Sequence, residues 1–318
     1  MPTLAEIESA ADLVHTVVPP TPTHHWPLLS QRTGAEVWVK HENHTPIGAF
    51  KVRGGLTYMD ALKREQPSVT GVVTATRGNH GQSVAFTARR SGLTATVVVP
   101  HGNGTEKNAA MRAFGAELIE HGHDFNDAYD HAMTLGTDRK LHMLRSFHPW
   151  LVRGVSTYGY ELFRSLSDID TVYVPIGLGS GICGVMAARD ALGLKTKVIG
   201  VVAEKAATYS LSVAAGKPVP TNSCDTIADG MAVRIPDESA LALIRKGADH
   251  IVTISEAEIQ AAMRHYFTDT HNVAEGAGAA ALAGLLKERS AMAGKRVALI
   301  LSGGNVDRTI YKDVLAGS

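Results

Sequence analysis

Short runs of β-branched residues, each closed by a glycine turn that opens into an Ala-rich stretch, narrow the fold of this chain more than any other feature. They recur in GVVTATRGNHG (71–81), TATVVVPHGNG (94–104), TVYVPIGLGSG (171–181), KVIGVVAE (197–204) and RVALILSGGN (296–305). Strand patterns alternating with helical ones predict an α/β fold, with mostly parallel sheet covered by helices on both faces. Ligands in such sheets gather at the carboxyl ends of the strands, so the glycine turns are where chemistry is expected. With 318 residues, 44% hydrophobic and 19% charged, the chain is long enough for two compact lobes. No repeat, long linker or shift of composition marks a boundary between them.

Charge excludes several classes of partner. Lys plus Arg and Asp plus Glu both number 31, so no net field draws the chain to nucleic acid or to an anionic membrane. No apolar run approaches the roughly 20 residues of a membrane-spanning helix, and the start MPTLAEIESAADLV has no signal-peptide pattern. A cytoplasmic protein working on small molecules is the expectation. Cys183 and Cys224 are too few for a disulfide framework or a Cys-built zinc site and read as reduced thiols. The His-rich stretch HGHDFNDAYDH (121–131) matches no standard zinc spacing and reads as a solvated turn and helix face.

Four segments carry candidate chemistry. Lys51 lies in HENHTPIGAFKVRGG (41–55), which a helix is expected to enter at Ala49 and leave near Gly54. Alone it reads as a surface lysine at a helix start. A partly desolvated ε-amine could instead form an imine with an aldehyde cofactor and then take a substrate's Cα proton. GLGSGICG (177–184) follows an apolar run and opens a helix, where backbone N–H groups and the helix N-terminus suit a phosphate. Gly179, Gly181 and Gly184 also fit G-x-G-x-x-G, with Glu204 following 20 residues later, so this loop alone suits a nicotinamide-dependent oxidoreductase equally well. Ser302, at the end of RVALIL, offers a hydroxyl to a pyridine nitrogen or simply caps a turn. TRGNHG (76–81) closes another strand; its amides suit a carboxylate and Asn79 a phenolic oxygen, or the segment is only a capped turn.

Taken together and in this order, these segments resemble the fold-type II pyridoxal-phosphate (PLP) enzymes, specifically the serine/threonine dehydratase and serine racemase family. The resemblance runs through ENHTPIGAFKVRG (42–54), GNHGQ (78–82), GLGSG (177–181), TIADGMAV (226–233), EGAGA (275–279) and SGGN (302–305). Nothing in a dinucleotide-binding oxidoreductase calls for the lysine segment or the terminal serine. The resemblance implies a tryptophan-synthase-β-like pair of lobes: a large PLP-binding one from residues 1–66 and 150–318, and an inserted, mobile one from 67–149. It implies Lys51 as the Schiff-base residue, Phe50 along one face of the cofactor, and Asn79 on the ring's 3′ oxygen. Gly177, Leu178, Gly179, Ser180 and Gly181 would surround the phosphate, with Leu178 standing where the family often has glycine. Ser302 would meet the pyridine nitrogen; a neutral hydroxyl leaves the ring a weaker electron sink than a carboxylate would, which favours elimination. Thr76, Arg77, Gly78, Asn79 and His80 would form the substrate-binding loop.

The implied reaction is dehydration of threonine, serine or a related 3-hydroxy amino acid, such as phenylserine or 3-hydroxyaspartate, to a 2-oxo acid and ammonia. Other PLP β-eliminations, β-replacement and racemisation are the alternatives. A homodimer without the C-terminal regulatory domain of biosynthetic threonine dehydratases is also implied.

Two positions depart from the family pattern. Arg77 stands where racemases carry a serine, and a protonated guanidinium is a poor base, so racemisation is not expected. Arg77 is expected either to contact a substrate carboxylate or to cover the mouth of the site. Glu204, Thr208 and Ser210 occupy the positions through which many relatives bind a divalent cation, and losing the second carboxylate weakens such a site. His80 reads as a packed residue and Cys183, on the phosphate-loop helix, as a small buried hydrophobe.

Overall fold

The computed structural model describes residues 1–317. Ten strands form among them: β1 (Thr23–His25), β2 (Glu36–His41), β3 (Gly71–Ala75), β4 (Thr94–Val99), β5 (Glu117–Glu120), β6 (His142–Met143), β7 (Thr171–Pro175), β8 (Lys197–Ala203), β9 (His250–Ile254) and β10 (Arg296–Leu301). They make two sheets. One runs β1-β2-β10-β7-β8-β9 and is parallel except for the antiparallel edge pair β1–β2. The other, β5-β4-β3-β6, is parallel throughout and comes entirely from the chain between β2 and β7. The expected α/β architecture is therefore present twice, one unit inserted in the other.

Strands without polar alternation are covered on both faces, as parallel sheets require. In the six-stranded sheet Ile199, Val201, Leu299 and Leu301 face the helix Gly276–Lys287. Val198, Val202, Ala298 and Ile300 face the opposite way, onto the helices Pro149–Ser165 and Ser180–Ala191. In the four-stranded sheet Val72 packs with Tyr58, Leu62 and Val84, while Val73, Ala75 and Val98 pack with Ala128 and Ala132. Among the described residues no helix is long and apolar enough to cross a membrane.

The lysine-bearing helix differs from the sequence expectation. It begins at Lys51 and continues to Glu65, through Gly54 and Gly55, instead of ending there. Each internal glycine costs the helix about 1 kcal/mol, but side chains do not fit at either position. A Cβ on Gly54 would stand 2.9 Å from the Leu151 carbonyl oxygen, and one on Gly55 would strike the Ser83 hydroxyl. The helix is thus wedged between the helices Pro149–Ser165 and Asn79–Arg90, which join the two sheet units.

Its first turn is anchored by a buried charge network that the sequence did not disclose. Arg53, fully buried, donates through Nε and Nη2 to Glu42 (2.7 and 3.0 Å) and through Nη1 and Nη2 to Glu161 (2.5 and 2.9 Å). Lys40 donates to the same Glu161 (2.5 Å) and to the Thr21 carbonyl (2.8 Å), and the Thr21 hydroxyl donates to Glu42 (2.6 Å). Thr157 gives Arg53 a further acceptor at 3.0 Å. Two buried carboxylates and two buried cations are thereby paired, as burial of charge demands.

Candidate active site

Three strand ends converge where the two units meet. Phe50 N–H donates to the Ser302 carbonyl (3.0 Å) and Ala49 bridges to Gly303, so the residues before Lys51 are stitched to the turn after β10. The Lys51 carbonyl accepts the Ser83 hydroxyl (2.8 Å) from the inserted unit. Lys51 Nζ lies 3.2 Å from Ser180 Oγ and 5.0 Å from the Phe50 ring centroid. Burial in this apolar setting pushes its ammonium down to about 8, so about a tenth is neutral, nucleophilic amine at pH 7, far more than in a free lysine.

After β7 the chain turns through Gly177-Leu178-Gly179 into the helix Ser180–Ala191. Gly179 sits at φ +100°, a conformation that side chains other than glycine rarely adopt. A Cβ on Gly177 would collide with the Gly230 carbonyl oxygen. Tyr209 and Tyr158 hold the loop by donating to the Leu178 and Gly181 carbonyls, each at 2.9 Å. The first amides of the helix stay free to meet an anion. Gly177→Ala should therefore weaken retention of a phosphate-bearing ligand by about tenfold or more, roughly 1.4 kcal/mol, in a binding titration. Unchanged retention would show that the loop does not hold the phosphate.

On the inserted unit, Thr76 Oγ1 accepts from the Gly78 (3.0 Å) and Gly81 (3.3 Å) amides, which shapes the turn into the helix Asn79–Arg90. Asn79 is held on both sides of its carboxamide. It donates to Glu275 Oε1 (2.6 Å) and accepts from Asn305 Nδ2 (2.8 Å), which leaves a second amide hydrogen for a phenolic oxygen. His80 is buried, and desolvation together with the Lys51 charge pushes it to about 3, so it is a neutral ring.

One cavity of about 220 Å³ brings these residues together. Phe50, Lys51, Thr76, Arg77, Gly78, Asn79, His80, Gly177, Leu178, Gly179, Ser180, Gly181 and Ser302 all line it. Sequence reasoning missed five charged residues that line it too: Lys107, Asp124, Asp229, Arg234 and Glu275. Lys107, reaching from the helix Thr105–Ala113 of the inserted unit, pairs with Asp229 at 2.8 Å and Glu275 at 3.8 Å. Burial raises the Glu275 carboxyl, while Lys107 and Asn79 oppose that rise. EGAGA (275–279) contains that glutamate, but no local pattern says which lysine it meets.

Glu204, Thr208 and Ser210 are not part of the cavity wall. The Thr208 hydroxyl donates to Val219 O (2.7 Å) and the Ser210 hydroxyl to Ala207 O (2.9 Å). Among the described residues no group of three His, Cys, Asp or Glu is placed to hold a metal. Cys183 is buried, and desolvation raises its thiol to about 12, which suits a packing role. His121 and His131 stack at 3.9 Å between ring centroids.

A buried amine with no carboxylate partner, a glycine loop that excludes Cβ atoms, a held carboxamide and a serine hydroxyl fit the aldehyde, phosphate, phenolic oxygen and ring nitrogen of PLP. The family model for pyridoxal-phosphate dependent enzymes matches residues 14–303. The chain belongs to this family. An L-threonine ammonia-lyase of Thermotoga maritima is 35% identical over 308 residues, covering 96% of this chain and 76% of that protein. The L-threo-3-hydroxyaspartate ammonia-lyase of Saccharomyces cerevisiae is 30% identical over 318 residues, covering 100% of this chain and 97% of that one. The chain spans 56% of the length of a biosynthetic L-threonine dehydratase of Haemophilus influenzae, to which it is 33% identical. The structure of processed threonine deaminase isoform 2 from Solanum lycopersicum superimposes with a TM-score of 0.92, at 32% identity, covering 99% of this chain and 92% of that one. The family expected from the six motifs is the one found, and the dinucleotide reading of the Gly177–Gly184 loop is set aside. The cofactor of this PLP enzyme is pyridoxal phosphate, and its substrate class is amino acids.

Proposed function

We propose that this PLP enzyme is an ammonia-lyase that dehydrates a β-hydroxy amino acid to a 2-oxo acid and ammonia. The observation that carries the reading is the buried Lys51 amine, low in pKa and 3.2 Å from Ser180, in a family whose similar members are threonine and 3-hydroxyaspartate ammonia-lyases. Bound through Lys51, PLP would draw electron density from the substrate's Cα.

The residues do the rest. The amides of Asn79 and His80, at a helix N-terminus, receive the α-carboxylate. Lys51, once freed by the incoming amino group, is the base for the Cα proton, and its pKa near 8 suits that task at neutral pH. Loss of that proton lets the β-hydroxyl leave, with the proton passed back from Lys51 so that it departs as water. The unsaturated product then takes up water to give the 2-oxo acid and ammonia. Ser302, neutral, would offer the ring nitrogen a hydrogen bond without fixing a proton there, which favours elimination over reprotonation at Cα. Arg77, in the position that racemases fill with serine, supplies no second base. The roles of Phe50 against the ring, Asn79 on its 3′ oxygen, and Gly177, Leu178, Gly179, Ser180 and Gly181 on the phosphate belong to the same proposal.

We further read the chain as a cytoplasmic homodimer, on the family resemblance, with residues 67–149 as the unit that closes over the substrate. The Lys107–Asp229 and Asp124–Arg234 (3.2 Å) pairs, each joining that unit to the larger one, support a closed form. The test is to incubate holoenzyme with serine, threonine, 3-hydroxyaspartate and phenylserine, with and without a thiol. Equal release of ammonia and 2-oxo acid from at least one of them is expected. Formation only of thiol adducts or of the opposite enantiomer would overturn the reading.

A further inference from the structure

We infer that Arg77 binds a second carboxylate on the substrate's side chain, so that the substrate class is the dicarboxylic 3-hydroxy amino acids. This rests on the ammonia-lyase reading and names its substrate. The argument starts from the cations lining the cleft. Lys51 is assigned to the cofactor, Lys107 is paired with Asp229 and Glu275, and Arg234 donates to Asp124 (3.2 Å) and to the Thr221 carbonyl (3.3 Å). Arg77 alone among these four has no hydrogen bond or ion pair among the described residues, and its Nε is shielded from solvent without a partner. Shielded donors in native proteins are nearly always paired, and a guanidinium offers a fork that matches a carboxylate.

The substrate's α-carboxylate has a place elsewhere. Thr76 Oγ1 occupies the Gly78 and Gly81 amides, and the intervening amides of Asn79 and His80 begin a helix, where an anion is favoured. Arg77 is therefore left for another group. Cys224 and Arg234 line the same cleft, and the charges of Arg77 and Arg234 oppose the rise that burial gives the Cys224 thiol, so both guanidiniums lie within electrostatic reach of it. A substrate held at its α-carboxylate and at Lys51 would turn its side chain into the rest of this cleft, whose wall includes Arg77. Phe125, Val233 and Ile235 line the cleft as well. An aryl side chain could rest on the guanidinium face, but it would leave Nε unpaired, whereas a carboxylate pairs it.

The experiment compares wild-type holoenzyme with Arg77→Ala and Arg77→Lys. Ammonia release is measured from both diastereomers of 3-hydroxyaspartate, and from threonine, serine and phenylserine. Binding of succinate, a dicarboxylate that cannot react, is measured by calorimetry against butyrate. Wild type should favour a 3-hydroxyaspartate over threonine in kcat/KM by on the order of 100-fold. Arg77→Ala should collapse that ratio by a similar factor, chiefly through KM, and Arg77→Lys should restore part of it, since an ammonium keeps the charge but not the fork. Succinate should bind wild type more tightly than butyrate does, and that difference should vanish in Arg77→Ala. A preference of wild type for threonine or phenylserine, or a ratio unchanged in Arg77→Ala, overturns the inference while leaving the ammonia-lyase reading intact. If wild type releases ammonia from nothing, that reading fails, and succinate binding alone decides: loss in Arg77→Ala supports the subsite, and equal binding by both proteins removes it.

Discussion

Lys51→Ala is expected to abolish ammonia release, by about 10⁴-fold or more, and to remove the visible absorption of the lysine-bound cofactor. The double effect follows from one amine serving both as covalent anchor and as Cα base. The variant should still fold, because the Lys51 side chain makes one hydrogen bond, to Ser180, and no ion pair, while the first turn of its helix is anchored by Arg53. A second readout concerns pH. Burial sets the Lys51 amine at about 8, and only its neutral form attacks an aldehyde. Recombination of wild-type apoenzyme with PLP should therefore slow by about tenfold for each pH unit below 8 and level off above it, as followed by the growth of visible absorbance. A visible band that persists in Lys51→Ala, or a uniform rate across this range, would remove Lys51 from its role.

Arg53→Met should cost about 3–5 kcal/mol of stability, a large share of the about 5–15 kcal/mol that a folded protein of ordinary stability possesses. The loss comes less from the pair itself than from leaving Glu42 and Glu161 buried without their main donor. Denaturant unfolding of the holoenzyme measures it, and replacing Glu42 alone by leucine in the same chain should recover part of the loss, because Glu161 keeps Lys40 as its partner. A cost under about 1 kcal/mol would mean that the network is not closed to water. The same network predicts an acid limit. Burial alone would raise the Glu161 carboxyl, but Arg53 and Lys40 outweigh it and hold it at about 2, below the ordinary 4.5. A carboxylate with a depressed folded-state pKa stabilises the protein fully above its ordinary value. That contribution is lost as pH falls from 4.5 toward 2, so unfolding midpoints should drop across that window in wild type and be lower throughout it in Arg53→Met.

Which features were legible in the sequence depended on how local their causes are. The doubly buried strands were readable because a parallel sheet needs continuous apolar runs, and the turns after β3, β7 and β10 because a chain that meets a ligand through its backbone needs glycine there. Six short motifs in one order then named the family, although none of them could do so alone. The end of the lysine helix was misread, since Gly54 and Gly55 usually stop a helix and here admit two neighbouring ones instead.

What only the tertiary structure decided is which charges meet. Arg53 and Glu161 are 108 residues apart in sequence, and Lys107 and Asp229 are 122 apart. Their pairing depends on which helices stack against which, and a charged residue looks the same in a sequence whether its partner is water or a buried carboxylate. The sequence by itself placed Lys51, Asn79, the glycine loop and Ser302 at strand and helix ends, because main-chain geometry is set by near neighbours. The fold alone showed that Lys107 and Arg234 have acidic partners and that Arg77 Nε, shielded within the cleft, has none, because only the packed chain decides which donors lie against an acceptor.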